Sequence, residues 1–103
     1  MTGFALHPEA YDDIDEIRAY IAEDNPDAAD RLVNEIFDRI RLLVQFPSQG
    51  FRRPNLTPLP LRFLQVRDYV IAYAPERKPL WIVAVIHGRR NPRVITAILH
   101  GGE

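Results

Sequence analysis

The sequence predicts an α+β domain with its helices and strands segregated. Three observations carry the prediction: two consecutive stretches repeat apolar residues at helical spacing, three later stretches are short, apolar and rich in β-favouring residues, and the connections between them are tight. Helical signals gathered ahead of strand signals give α+β, whereas regular alternation would give a parallel α/β sheet.

Met1–Leu6 is short and apolar (Phe4, Ala5, Leu6) and reads as a first strand. Pro8 then fits a first helical position, where its missing N–H costs nothing. Ala10, Ile14, Ile17 and Ile21 follow at spacings of four, three and four, one face of a helix. Asp12, Asp13, Asp15 and Glu16 fall in its early turns, where the helix dipole favours negative charge, so they have a structural explanation. Asn25-Pro26 marks a restart, with Asn as N-cap and Pro at the first helical position. The second helix should run to about Phe46, with a stripe of Ala29, Leu32, Val33, Ile36, Ile40 and Leu43 widened by Phe37 and Val44. That stripe is broader than one neighbour requires. Two helices joined by so short a turn form an antiparallel hairpin.

Ser48–Pro60 reads as a loop, because Pro47, Pro54, Pro58 and Pro60 block regular structure. Leu61–Val66, Tyr69–Ala74 and Leu80–Ile86 read as strands of an antiparallel meander, joined through Arg67-Asp68 and through Pro75–Pro79. The last is the most apolar run of the chain and reads as a strand buried on both faces. At His87 it changes abruptly into the polar, cationic H-G-R-R-N-P. Asn91-Pro92 repeats the capping signal, so Arg93–Leu99 is expected to be a short helix docked by Val94, Ile95, Ile98 and Leu99. The expected architecture is an N-terminal strand and an antiparallel helical hairpin packed on a four-stranded, mainly antiparallel sheet, with a short C-terminal helix, in one domain over residues 1–103.

Composition narrows the chemistry. There are no cysteines, which removes thiolate catalysis, Cys-ligated zinc and disulfides together. No basic-then-apolar segment opens the chain and no apolar run approaches the ~20 residues that span a bilayer, so a cytoplasmic protein is expected. The net charge of −1 conceals a polarity: residues 1–50 hold four basic groups against eleven acidic ones, residues 51–103 nine against three. Either the basic half suits an acidic or anionic partner, or the halves complement each other within one fold.

No Gly-rich phosphate loop, H-E-x-x-H, nucleophile elbow or CxxC is present, and His7, His87 and His100 have no ligand-like spacing, so neither metal nor cofactor is expected. What remains is a set of arginines on and near the predicted sheet: Arg52, Arg53, Arg62, Arg67, Arg89, Arg90 and Arg93. Their planar, permanently charged forks suit phosphates and carboxylates. Some strand ends of a meander come together, which would gather several of them into one patch. Arg89-Arg90 stand out because they lie between a buried strand and a capped helix, where their direction is fixed. His87 is of a residue type that can act as acid or base, but a histidine at a strand end more often bonds a backbone group.

As a whole the chain resembles the RelE/ParE family of type II toxin–antitoxin toxins. The resemblance rests on H-P-E-A-Y-D-D-I-D-E-I-R-A-Y-I at 7–21, A-A-D-R-L-V-N-E-I at 28–36, L-L-V-Q-F-P-S-Q-G at 42–50, R-R-P-N-L at 52–56, L-R-F at 61–63, Y-V-I-A-Y at 69–73 and V-A-V-I-H-G-R-R-N-P at 83–92. It implies a helical hairpin on an antiparallel sheet, a cognate antitoxin (ParD-like) that holds the toxin inactive, and a role in plasmid maintenance or stress response. ParE-like members act on DNA gyrase and block replication, and RelE-like members cleave mRNA in the ribosome. The spacing of H-G-R-R-N-P looks more ParE-like. For a gyrase poison that is not an enzyme, target contacts are expected at Arg53, Arg62, Arg67, Arg89, Arg90 and Arg93. For the alternative, an endoribonuclease, His87 would be the acid/base and Arg62, Arg89 and Arg90 the phosphate clamps. The antitoxin is expected against the hairpin and the sheet, at Tyr20, Leu32, Ile36, Phe37, Ile40 and Trp81.

Overall fold

The structure, a computed structural model, describes residues 3–53 and 58–87. Its elements are β1 (Phe4–Leu6), α1 (Pro8–Ala22), α2 (Pro26–Gln45), β2 (Phe51–Arg52), β3 (Arg62–Val66), β4 (Tyr69–Ala74) and β5 (Leu80–His87). The sheet has five strands in the order β1-β5-β4-β3-β2; β1 runs parallel to β5 and every other neighbour is antiparallel. The expected four strands thus gain a fifth inside the Ser48–Pro60 loop. Two residues that follow a glycine carry no periodicity, so only their pairing with Phe63 and Arg62 makes them a strand. The expected C-terminal helix at Arg93–Leu99 lies outside the described residues.

Both helix starts follow local chemistry. Asn25 Oδ1 accepts the Ala28 N–H at 3.0 Å, with Pro26 behind it, as the Asn-Pro signal implies. At α1 the cap is a histidine: His7 Nδ1 accepts the Glu9 N–H at 3.0 Å, and the His7 N–H donates to the Ile82 carbonyl at 2.9 Å. His7 therefore ends β1 and begins α1 in one residue.

The α2 stripe is wide because it meets two surfaces. Ala29, Leu32, Val33, Ile36, Ile40 and Leu43 are all buried. Most join Ala10, Ile14 and Ile17 of α1 and Leu64, Val66, Ile71, Tyr73, Leu80, Ile82 and Val85 of the sheet in one core. A second cluster lies on the other sheet face, made by Leu61, Phe63, Ala72, Val83, Ala84 and Ile86. β5 contributes to both, which explains its unbroken apolar run. Its ladder with β4 shifts register after Ala72↔Ala84, resuming at Tyr73↔Ile82, so Val83 is the extra residue of a bulge.

Asp13, expected as one of several early-turn acids favoured by the helix dipole, has a further structural role. It is 7% exposed, and Oδ2 accepts the Val85 N–H at 3.1 Å. β1 pairs with β5 only as far as Ile82, and beyond that point a carboxylate from α1 stands where a strand carbonyl would be. An unpaired N–H there would be costly.

Candidate functional site

The register of the sheet decides which polar side chains can work together. Arg62 pairs across β3–β4 with Tyr73, whereas His87 pairs across β5–β4 with Tyr69. Tyr69 and Tyr73 lie four positions apart on one strand, about 13 Å at the usual rise. Arg62 and His87 therefore occupy opposite ends of the sheet, with β4 between them.

At the Arg62 end, α2 stops at Phe46 and the chain turns through P-S-Q-G. Tyr73 is wholly buried beneath that turn; its hydroxyl donates to the Pro47 carbonyl at 2.8 Å and accepts the Gly50 N–H at 2.9 Å. Arg62 Nη1 donates to the Gly50 carbonyl at 2.7 Å and to the Ser48 carbonyl at 3.3 Å. Two side chains from the sheet thus hold both ends of one tight turn. A Cβ on Gly50 would stand 2.6 Å from the Tyr73 hydroxyl and 2.8 Å from the Phe63 carbonyl, closer than real atoms approach, so glycine is required here. Burial pushes the Tyr73 hydroxyl above its ordinary range, partly offset by the Gly50 N–H and the Arg62 charge. Arg62, one of the expected target contacts, donates its guanidinium to backbone carbonyls of this turn.

At the other end, Tyr69 and His87 meet edge to face with ring centroids 5.3 Å apart. Burial, then the neighbouring Asp68 carboxylate, and then Tyr20 raise the Tyr69 hydroxyl. Arg67 follows β3 with φ 55°, in the left-handed region uncommon for a non-glycine residue. Its Nε donates to Glu35 Oε1 of α2 at 2.7 Å, and its carbonyl accepts from Gln65 Nε2 at 2.9 Å. The Glu35 hydrogen bond and charge hold the Arg67 guanidinium still more firmly protonated. The single patch expected from a meander is thus split, with Arg52, Arg53 and Arg62 at one end and Arg67 and His87 at the other. Arg89, Arg90 and Arg93 lie outside the described residues.

The expected antitoxin contacts divide in the same way. Leu32, Ile36 and Ile40 are buried in the chain's own core and offer no surface, because α2 spends its whole stripe on α1 and the sheet. Phe37 is half-buried beside Phe4, ring centroids 6.2 Å apart. Tyr20 is exposed. Trp81 is half-buried on the sheet face opposite α1 and α2, with the His7 ring edge-on at 5.7 Å and the Arg77 guanidinium 5.8 Å from its centroid.

Sequence reasoning missed Asp13, Tyr69 and Tyr73. The tyrosines stood in Y-V-I-A-Y with no role read from it, because their roles depend on strand register; Asp13 hid among neighbouring acids. No group of three or more potential metal ligands occurs among the described residues, and no described helix is long and apolar enough to cross a membrane.

Comparison with known proteins adds a family. The model of the ParE toxin of the type II toxin–antitoxin system, parDE, matches residues 4–92. The chain is 29% identical over 96 residues to toxin ParE2 of Mycobacterium tuberculosis, covering 93% of this chain and 90% of that protein. It is 36% identical over 89 residues to the putative toxin Y4kP of Sinorhizobium fredii, covering 80% of this chain and 84% of that one.

Proposed function

The chain belongs to the ParE toxin family of type II toxin–antitoxin systems, and from that premise we propose that it arrests growth by binding DNA gyrase and blocking replication until its antitoxin neutralises it. The observation that carries this reading over a nuclease is the separation of His87 from Arg62. Transfer of a 2′-hydroxyl proton needs an acid or base within hydrogen-bond reach of the atoms that the phosphate clamps hold. Arg62 is at the far end of the sheet and bonded to carbonyls, and arginine itself stays protonated. Tyr69 touches His87, but its raised hydroxyl is a poorer base near neutrality than an ordinary phenol.

In this reading Arg53, Arg67, Arg89, Arg90 and Arg93 are contacts for the target, and Arg89-Arg90 the principal ones. A role in plasmid maintenance or stress response follows from it. One observation favours a second reading: the Tyr69–His87 contact supplies two titratable rings side by side. In a ribosome-dependent mRNA endonuclease these would act with Arg89 and Arg90. Gyrase supercoiling and cleavage-complex assays beside a ribosome-primed mRNA cleavage assay separate the two. Inhibited gyrase with intact mRNA is expected; cleaved mRNA with unaffected gyrase would reverse the assignment.

A further inference from the structure

Residues 39–67 hold six arginines and no acidic residue. They cover the end of α2, the turn after it, β2 and β3. Arg41 is paired with Asp38 and Arg67 with Glu35, and Arg62 bonds carbonyls. Arg52 and Arg53 are exposed and have no acidic partner among the described residues. Arg52 also stands directly opposite Arg62 across β2 and β3, a like-charge placement that works against the fold. An anion beside the pair would turn that cost into binding.

An exposed aromatic ring adjoins the arginines. Opposed residues of an antiparallel pair share a face, so Phe51 lies with Phe63 on the sheet face opposite α1 and α2. Phe63 is buried there, whereas Phe51 is 70% exposed. Phe46, before the same turn, is 58% exposed. Tyr73 and Arg62 fix that turn, so little ordering remains to oppose binding. Two phenylalanines bring about 300–500 Å² of side-chain surface, short of the roughly 800 Å² per partner of a stable protein interface. They suffice for one or two bases, whose faces stack on aromatic rings whatever the sequence.

We propose that Phe51, Arg52 and Arg53, flanked by Phe46, bind a single strand of DNA. The guanidiniums hold neighbouring phosphates, and the Phe51 ring stacks on an adjacent base. Phe51 selects single strand over duplex, because bases in a duplex are already stacked on their neighbours. The inference rests on the gyrase reading, in which the target itself holds DNA. It adds that the toxin touches the DNA as well as the enzyme.

The test is fluorescence anisotropy of the full chain, without gyrase, on a labelled single strand of about 12 nucleotides, on its duplex and on RNA of the same sequence. Wild type, Arg52→Gln with Arg53→Gln, and Phe51→Ala are compared, with melting temperature and inhibition of gyrase supercoiling recorded for each. Wild type should bind the single strand at least roughly tenfold more tightly than the duplex. The double glutamine variant should have a log–log salt slope shallower by about 1.4, two phosphate contacts at about 0.7 each. Phe51→Ala should weaken binding about tenfold and leave the slope unchanged. Gyrase inhibition should weaken in both variants, and melting temperatures should stay at the wild-type value, because all three side chains are exposed. Absence of wild-type binding at about 50 mM salt would overturn this inference alone. So would duplex bound as tightly as single strand, or variants that lose DNA binding yet inhibit gyrase fully. RNA bound at least roughly tenfold more tightly than DNA would assign the surface to RNA and overturn the proposal. Single-strand binding as expected with no inhibition of gyrase by wild type would support the site and overturn the gyrase reading.

Discussion

Tyr73 shows how much one hydroxyl can hold. It is the only described side chain bonded to both Pro47 and Gly50, and it does so from a wholly buried position. Tyr73→Phe leaves a half-buried carbonyl and a buried N–H without their partner, at a cost of about 1–3 kcal/mol. Urea unfolding should show a lowered midpoint with an unchanged slope. Gly50→Ala should destabilise by a similar amount, about 1–3 kcal/mol, through crowding against Tyr73 and Phe63. The two substitutions should be less than additive in a double-mutant cycle, since Tyr73→Phe removes one of the atoms the new methyl meets; full additivity would mean that the two sites do not share this contact.

The elements are held at their ends by single polar groups. Asn25→Ala removes the α2 cap and should cost about 1 kcal/mol by thermal or denaturant unfolding. Asp13→Ala should cost more, about 1–3 kcal/mol, because the Val85 N–H is buried where β1 has ended. Asp13→Asn keeps an acceptor oxygen at the same place and should recover part of that loss. Equal losses for the Ala and Asn variants would show that the carboxylate charge, and not its acceptor oxygen, is what β5 uses.

At the scale of the molecule, the charge polarity of the sequence is little neutralised by ion pairs among the described residues. Of the three ion pairs among the described residues, only Arg67–Glu35 joins the acidic half to the basic half. Arg89→Ala with Arg90→Ala should reduce growth arrest in a soluble, folded variant, and undiminished arrest would mark the pair as solvated charge. The raised hydroxyls of Tyr69 and Tyr73 set the alkaline limit. Burial favours their protonated form, so the folded chain keeps those protons to higher pH than the unfolded chain. Their contribution is complete below about pH 10 and is lost as pH rises through the folded values. Stability measured from pH 8 to 11 should fall above about pH 10, and Tyr69→Phe with Tyr73→Phe should flatten that fall.

The sequence by itself determined whatever depends on neighbours along the chain. Helical spacing and Asn25-Pro26 placed the hairpin, the apolar run Leu80–Ile86 placed the strand buried on both faces, and the ordered motifs placed the family. Tertiary structure decided whatever depends on strand register and on the meeting of distant segments. Register put Arg62 and His87 at opposite ends of the sheet, brought Tyr69 against His87, and made a strand of Phe51-Arg52. Packing took Leu32, Ile36 and Ile40 from the expected antitoxin surface into the core, because an apolar stripe does not say which of its neighbours belongs to its own chain. Side-chain periodicity is a local property of the backbone, whereas a hydrogen bond such as Tyr73 to Gly50 exists only after residues far apart in sequence have been folded together.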